Sequence, residues 1–283
     1  MEIIRTPRIL SETSKVHLSR SLSIGFVPTM GALHEGHLSL VRRARSENQV
    51  VIVSIFVNPI QFGPHEDFDG YPRDIEIDTH KLESEGVDVL FMPDSNSVFR
   101  SGFSTFISVN DLSDKLCGAF RPGHFVGVST IVGKLFNIVK PTRAYFGQKD
   151  FQQSVIIKRL VDDLNMDVEV IICPTIRDSD GLAMSSRNVY LNCEERIAAT
   201  LIYKTLKATS QFIGTGNATP IDIKRYMHDM LRTEPLISEL QYAGIYHPDA
   251  LDEISRFEEQ ALLAIALKIG NTRLIDNVLV RPN

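Results

Sequence analysis

Val50-Val51-Ile52-Val53-Ser54-Ile55-Phe56-Val57 decides the fold class. β-branched and aromatic residues fill the stretch without a polar alternation, which fits a strand covered on both faces of a parallel sheet rather than one half-exposed to water. Working outward, Ile24 to Pro28 is a second short strand, and His37 to Ser46 between them carries the spacing of an amphipathic helix. Downstream, Ile75 to Glu85 reads as a helix leading through Gly86 into a strand at Val87 to Phe91, and Val126 to Val139 as an apolar helix ended by Lys140-Pro141. Ala144 to Phe146, a helix over Phe151 to Leu164 and a strand over Val168 to Cys173 complete a further βαβ unit. Apolar runs of strand length alternating with helices predict an α/β domain, a Rossmann-like doubly wound parallel sheet with at least five strands.

Around Pro174 to Asn188 the periodicity stops, and the polar loop with Asp178, Ser179, Asp180 and Gly181 reads as a domain junction. Glu194 to Ile213 and Ile221 to Leu231 then read as helices, and Leu240 to Tyr246, Ala261 to Ile269 and Thr272 to Val280 as strands. Gly270-Asn271 fits a two-residue hairpin with both residues at positive φ. A first domain over 1–175 and a smaller C-terminal α+β domain over 176–283 follow.

At 283 residues and 43% hydrophobic content the chain can bury a large core, and it reads as a soluble globular protein. The formal net charge of -5 and pI of about 5.9 leave no global basic surface for nucleic acid. Glu2, Arg5 and Arg8 interrupt any apolar stretch that could serve as a signal peptide, and no run approaches the roughly 20 apolar residues of a membrane span. Cys117, Cys173 and Cys193 form no metal-ligand spacing, and an odd number does not suit a disulfide framework, so a reducing, cytoplasmic setting is the simplest reading.

Chemistry concentrates at Pro28-Thr29-Met30-Gly31-Ala32-Leu33-His34-Glu35-Gly36-His37, between the first strand and the first helix of the α/β region. Histidine ligands on a helix usually stand three or four apart, so a metal site is conceivable, but no third ligand is obviously paired with them. The position favours another reading: a strand-to-helix turn offers backbone N–H groups and a positive helix terminus to a phosphate, and two imidazoles add donors. Gly31 and Gly36 let the backbone approach a nucleotide closely. An isolated histidine would be a surface or core-satisfied residue; Gly, His, Gly and His together at one turn are not read that way. Gly147-Gln148-Lys149-Asp150 occupies an equivalent strand end, where lysine can neutralise phosphate and Asp150 can either cap the next helix or touch a ligand. Met184-Ser185-Ser186-Arg187 offers two hydroxyls and a guanidinium in a polar loop, and Asn58, Gln61 and Gln153 offer amides suited to a hydroxy acid.

His34-Glu35-Gly36-His37 matches the H-x-G-H signature of the nucleotidyltransferase superfamily, and the surrounding segments narrow it. The stretches 28–33, 54–62, Tyr71-Pro72-Arg73, Arg121-Pro122-Gly123-His124-Phe125, Phe146 to Gln153 and Asp180 to Asn188 together resemble the pantothenate synthetase family over nearly the whole chain. Gln148 departs from the glutamate frequent in the family motif, which affects local electrostatics only. The resemblance implies ATP binding by Met30 to His37, Gly147 to Asp150, Ile176 and Met184 to Arg187, with catalytic roles for His37, His34 and Lys149 and with His37 the proton donor. It implies pantoate at Gln61 and Gln153, with Asn58 beside them and Met30 and Phe62 against the gem-dimethyl carbon, and β-alanine at Gln61. It further implies a homodimer.

The implied reaction is attack of the pantoate carboxylate on the α-phosphorus of ATP, giving pantoyl adenylate and pyrophosphate, then displacement of AMP by the amine of β-alanine to give pantothenate, the precursor of coenzyme A. Positioning and charge stabilisation would carry it, with Mg²⁺ bridging the phosphates and Asp150 or Asp78 as candidate carboxylate ligands. Another H-x-G-H transferase, making a dinucleotide, would need a second phosphate site, for which the Asn58 and Gln61 segment offers few cations. A non-catalytic nucleotide-binding module is the alternative of a different class, against which His34, His37, Lys149 and Arg187 together argue. No G-x-G-x-x-G follows the first strand and no P-loop pattern occurs, which disfavours a dehydrogenase and a P-loop enzyme.

Overall fold

A computed structural model of the chain describes residues 1–281 except positions 65, 217 and 258. The chain forms two compact units: Met1–Asp114, Arg121–Gln148 and Gln153–Pro174 make the first, and Lys115–Phe120, Lys149–Gln152 and Thr175–Asn283 the second.

In chain order the elements up to residue 174 are β1 (Glu2–Ile4), α1 (Pro7–Ser19), β2 (Ile24–Thr29), α2 (Glu35–Glu47), β3 (Val50–Ile55), α3 (Ile75–Ser84), β4 (Val89–Phe91), α4 (Ser95–Val98), α5 (Cys117–Phe120), α6 (His124–Val139), β5 (Arg143–Gly147), α7 (Phe151–Asp163) and β6 (Glu169–Cys173). The six strands form one sheet in the order β1-β4-β3-β2-β5-β6 with every pairing parallel, so the doubly wound fold expected from the sequence is present. All of β3 is buried, as its unbroken apolar run requires. Truncating Ile52, fully enclosed, to alanine would cost about 2–5 kcal/mol through lost transfer energy and the cavity left behind.

Strand order reverses between β2 and β5, and this junction positions the site. The two strands pair only at Gly25↔Arg143 and Phe26↔Ala144, although β2 runs on to Thr29 and β5 to Gly147. Their carboxyl ends therefore part, which opens the crevice where open α/β sheets take ligands. Both segments singled out in the sequence, the turn after Thr29 and the turn after Gly147, leave from these two ends.

Four elements escape the sequence pattern, among them the one-turn helices α4 and α5. β1 has three residues, too few for a periodicity, and α1 buries only Leu10 and Ser14, so it carries no apolar stripe to recognise.

The second unit holds α8 (Cys193–Ile213), α9 (Pro220–Leu231) and an antiparallel sheet of β7 (Ile237–Tyr246), β8 (Ala261–Ile269) and β9 (Thr272–Val280) in that order. Leu206 and Ile202 of α8, Ile223 and Met227 of α9, and Leu263 and Ile265 of β8 share one core. Both helices begin with reciprocal capping boxes, Asn192 with Glu195 and Thr219 with Asp222. The β8–β9 hairpin closes at Ile269↔Thr272 as expected, but only Gly270 takes a positive φ, 53°; Asn271 does not, so the turn needs glycine at its first central position alone. No helix among the described residues is long and apolar enough to cross a membrane.

Candidate functional site

The signature turn builds two oriented imidazoles from the backbone outward. His34 is the N-cap of α2 in extended conformation, and its Nδ1 accepts the Gly36 N–H at 3.2 Å. His37, three residues on, reciprocates: its Nδ1 accepts the His34 N–H at 3.3 Å. Histidine thus plays both parts of a capping box usually played by Ser or Thr and Glu. With each Nδ1 an acceptor, the neutral ring of each carries its proton on Nε2. The rings lie 4.1 Å apart centroid to centroid and are tilted by 42°, so the H-x-G-H spacing brings two imidazoles together at the carboxyl end of β2.

The turn that leads into this cap is strained and clamped. Gly31 and Ala32 both have positive φ, 84° and 50°. For alanine the left-handed region costs about 1–2 kcal/mol. What holds it there is Asp78 on α3, 2% exposed, whose Oδ2 accepts the Ala32 N–H and whose Oδ1 accepts the Leu33 N–H, each at 2.8 Å. These two hydrogen bonds to a buried carboxyl hold the turn against that strain. The Lys81 ammonium donates to the Leu33 carbonyl at 2.5 Å. Burial pushes the Asp78 carboxyl above the usual aspartate range, against the opposing effect of the Leu33 and Ala32 N–H groups.

Two sequence expectations change here. The sequence offers the turn's backbone N–H groups to a phosphate, but those of Ala32 and Leu33 are engaged by Asp78, and that of Gly36 by His34. Asp78 was a candidate Mg²⁺ ligand; an enclosed carboxylate with both oxygens already accepting N–H groups does not fit that role.

Beside the turn, a second group converges. Asn58 is 1% exposed; its Nδ2 donates to Gln61 Oε1 at 3.0 Å and to the Gly127 carbonyl at 3.1 Å, while its Oδ1 is buried without a hydrogen-bond partner. Gln61 ends a 3-10 turn, Pro59–Gln61, and its Nε2 donates to Met30 Sδ at 3.1 Å, which links this segment to the signature turn. Phe62 packs edge-on to Phe68 and Tyr71. The amino end of α6 braces the segment from behind: His124 Nδ1 lies 2.8 Å from the Gln61 carbonyl, Arg121 Nη1 lies 3.0 Å from His124 Nε2, and Arg121 forms a bidentate pair with Glu66. Burial alone would raise the Glu66 pKa, but the Arg121 guanidinium bonds and charge hold it below the usual range. Gly127 makes the approach possible, since a Cβ there would meet the Ile60 carbonyl at 2.4 Å and Gln61 N at 2.7 Å. Gln153 sits half-buried on α7.

In the second unit, Lys149 lies in the 3-10 turn Gln148–Asp150, and its carbonyl accepts from Asn277 Nδ2 at 2.9 Å. Its charge acts on the neighbouring Asp276, a buried carboxyl that burial raises and that Arg177 grips with both terminal nitrogens. The polar loop after Pro174 is tied by hydrogen bonds: the Ile176 carbonyl accepts the Met184 N–H, Arg177 bridges Ala183 in antiparallel fashion, and Arg196 ties Asp178 to Asp180. The Ser185 hydroxyl caps the 3-10 turn Ser186–Tyr190 by accepting the Arg187 N–H. The Arg187 charge is felt by Arg273, a mostly enclosed guanidinium bonded to Gln241 and Cys117. Cys117 and Cys173 are buried and Cys193 is exposed.

Sequence reasoning assigned no role to Lys81, Arg121, His124 or Gly127. For Arg121 and His124 a signal existed, since the segment 121–125 matches the family pattern; for Lys81 none did, because its partner lies 48 positions away.

Comparison with known proteins bears on all of this. The family model described as pantoate-beta-alanine ligase matches residues 2–279. A pantothenate synthetase of Thermodesulfovibrio yellowstonii is 61% identical over 280 residues, covering 99% of this chain and 100% of the relative. A crystal structure of pantothenate synthetase from Thermus thermophilus superposes with a TM-score of 0.93 at 43% identity, covering 98% of this chain and 99% of that one. A crystal structure of pantoate-beta-alanine ligase from Francisella tularensis, complexed with beta-gamma ATP and beta-alanine, superposes with a TM-score of 0.81 at 37% identity, covering 99% and 97%. With a family model spanning almost its whole length and relatives this similar from end to end, the chain belongs to the pantoate–beta-alanine ligase family.

Proposed function

We propose that this protein condenses (R)-pantoate with β-alanine at the expense of ATP, giving pantothenate, AMP and pyrophosphate through a pantoyl-adenylate intermediate, in the route to coenzyme A. The observation that carries the reading is the histidine capping box, whose two Nε2–H donors stand where β2 and β5 part. In the first step a pantoate carboxylate oxygen bonds to the α-phosphorus as the bond to the pyrophosphate oxygen breaks. Charge grows on the phosphate oxygens, and donors fixed in advance stabilise it without reorganisation. His34 and His37 supply those donors, His37 as the proton donor when its ring is in the imidazolium form, which returns it to neutral imidazole, and Lys149 neutralises. In the second step the β-alanine nitrogen attacks the acyl carbon, the C–N bond forms as the acyl C–O bond to AMP breaks, and the amine proton passes to water. Neither step needs a covalent enzyme intermediate, so alignment supplies much of the acceleration.

ATP is assigned to Met30, Gly31, Ala32, Leu33, His34, Glu35, Gly36, His37, Gly147, Gln148, Lys149, Asp150, Ile176, Met184, Ser185, Ser186 and Arg187. Because the Ala32 and Leu33 amides are engaged by Asp78, contacts from that turn run through its other atoms. Pantoate is assigned to Gln61, Gln153 and Asn58, and β-alanine to Gln61. The partly exposed Gln61 amide, bonded to Met30 of the signature turn, supports this. Mg²⁺ arrives with ATP as the MgATP substrate, with exposed Asp150 the remaining carboxylate candidate; among the described residues there is no cluster of three or more His, Cys, Asp or Glu side chains that could hold a metal ion. Residues 1–175 serve as the nucleotide- and pantoate-binding domain and 176–283 as a lid. The protein acts as a cytoplasmic homodimer on small molecules.

The test is AMP release by the purified protein with ATP, Mg²⁺, D-pantoate and β-alanine, each omitted in turn, beside His37→Ala. Release that requires every component and collapses in the variant is the expected result. Protein that binds ATP but releases no AMP with this set refutes the reading.

A further inference from the structure

The carboxylate of Asp78 occupies the position an anion would take on the turn before α2. Consecutive left-handed residues, Gly31 and Ala32, point successive backbone N–H groups to one side, a concavity that binds anions in many proteins. In this chain the concavity is already filled, and by an internal group: both Asp78 oxygens are used, each at 2.8 Å, by a side chain that solvent does not reach. The same helix turn brings Lys81 to the Leu33 carbonyl, so three polar atoms of two adjacent residues are fastened to α3. The next residue is His34, whose cap geometry decides which ring nitrogen carries the proton. The ladder thus runs from α3, through the backbone of Ala32 and Leu33, to the imidazole.

We propose that Asp78, assisted by Lys81, is a positioning residue for the adenylating site: by filling the anion concavity with its own carboxylate it holds the turn in its left-handed form and so keeps the His34 and His37 Nε2–H groups aimed together. This rests on the reading of the two histidines as phosphate donors. It carries a chemical consequence for recognition, because the anion concavity is closed to ATP and this turn meets the phosphate through its imidazoles rather than its Ala32 and Leu33 amides.

The test combines Asp78→Asn and Lys81→Met with a core control on the same helix, Leu82→Ala, whose side chain is fully enclosed. Asparagine keeps the shape but presents an NH₂ to one of the two N–H donors; methionine keeps the lysine stem without its charge. AMP-release kinetics are measured at equal folded fraction, with imidazole ¹⁵N shifts of His34 and His37 recorded above their titration range. The expected result is a fall in kcat of about 10–100-fold for Asp78→Asn, with KM for ATP changed less than about threefold, and about 3–10-fold for Lys81→Met, as misaligned groups lose rate more than binding. The ¹⁵N pattern should lose the uniform Nε2–H tautomer in Asp78→Asn and keep it in Leu82→Ala. Asp78→Asn losing no more kcat than Leu82→Ala, or keeping the His34 pattern of the unsubstituted protein, overturns the proposal. Were the unsubstituted protein to release no AMP, the assigned reaction would fall, while the ¹⁵N comparison would still decide whether Asp78 sets the imidazoles.

Discussion

Replacing Gly127 by alanine adds a single methyl group to α6, yet the structure predicts a loss of activity well beyond the loss of stability. The added Cβ would lie 2.4 Å from the Ile60 carbonyl oxygen, 2.6 Å from Gln61 Cα and 2.7 Å from Gln61 N. All three are backbone atoms, so no side chain can swing aside, and ordinary carbon contacts near roughly 3.5 Å require the 3-10 turn and the helix to separate by about 1 Å. Separation stretches the Asn58 bond to the Gly127 carbonyl and the His124 contact to the Gln61 carbonyl. Overpacking costs about 1–3 kcal/mol. Alanine returns roughly 1 kcal/mol of helix propensity, so net destabilisation stays near 0–2 kcal/mol. Moving Gln61 by about 1 Å should lower kcat/KM on the order of 100-fold. Gly133→Ala on the same helix is the control, because its Cβ meets only the Ile107 Cδ1 methyl, which can rotate away. Thermal unfolding and AMP release, measured for both variants, should show Gly127→Ala the less stable of the two by about 1–3 kcal/mol but slower by far more than that difference explains. Gly127→Ala within about threefold of the unsubstituted kcat/KM would refute the reasoning.

Two further outcomes follow from the geometry. His34→Asn keeps an N-cap acceptor but removes the ring Nε2–H, so unfolding should shift by less than about 1 kcal/mol while kcat falls about 100-fold or more; retained activity would show that the cap, not the donor, is the function of His34. Glu66 has a folded pKa below its unfolded value of about 4.3, so the Arg121 pair stabilises fully above that pH and the contribution is lost as pH falls through the folded pKa. Glu66→Gln should therefore cost about 1–3 kcal/mol at pH 7, the figure reduced from that of a sealed pair because a quarter of the Glu66 side chain is exposed, and the difference from the unsubstituted protein should shrink in urea melts below about pH 4. A difference constant with pH would exclude the pair as its cause.

Much of the architecture is legible from local pattern. β3, α2, α6, α8 and the β8–β9 hairpin emerge because their side chains repeat with the period of the backbone that carries them. The histidine turn is legible because its residues are chemically unusual together. The failures are equally local in origin: α1 buries too thin a stripe to show a period, and the 174–190 segment hides its antiparallel bridge because backbone bonds leave no mark on side-chain pattern.

Composition, periodicity and the run of motifs are enough to set a parallel sheet and a second α+β unit and to single out the turn that carries His34 and His37. Where the chain's distant parts act on that turn was a matter for the folded molecule. Asp78 looked in the sequence like a carboxylate available to a metal, and only its enclosure on α3 shows it bound to the Ala32 and Leu33 amides. Gly127 looked like one more helical glycine until Ile60 and Gln61 were found against it. The physical reason is common to both: a residue's period and propensity belong to its neighbours in sequence, whereas desolvation and close contact depend on atoms that only folding brings together.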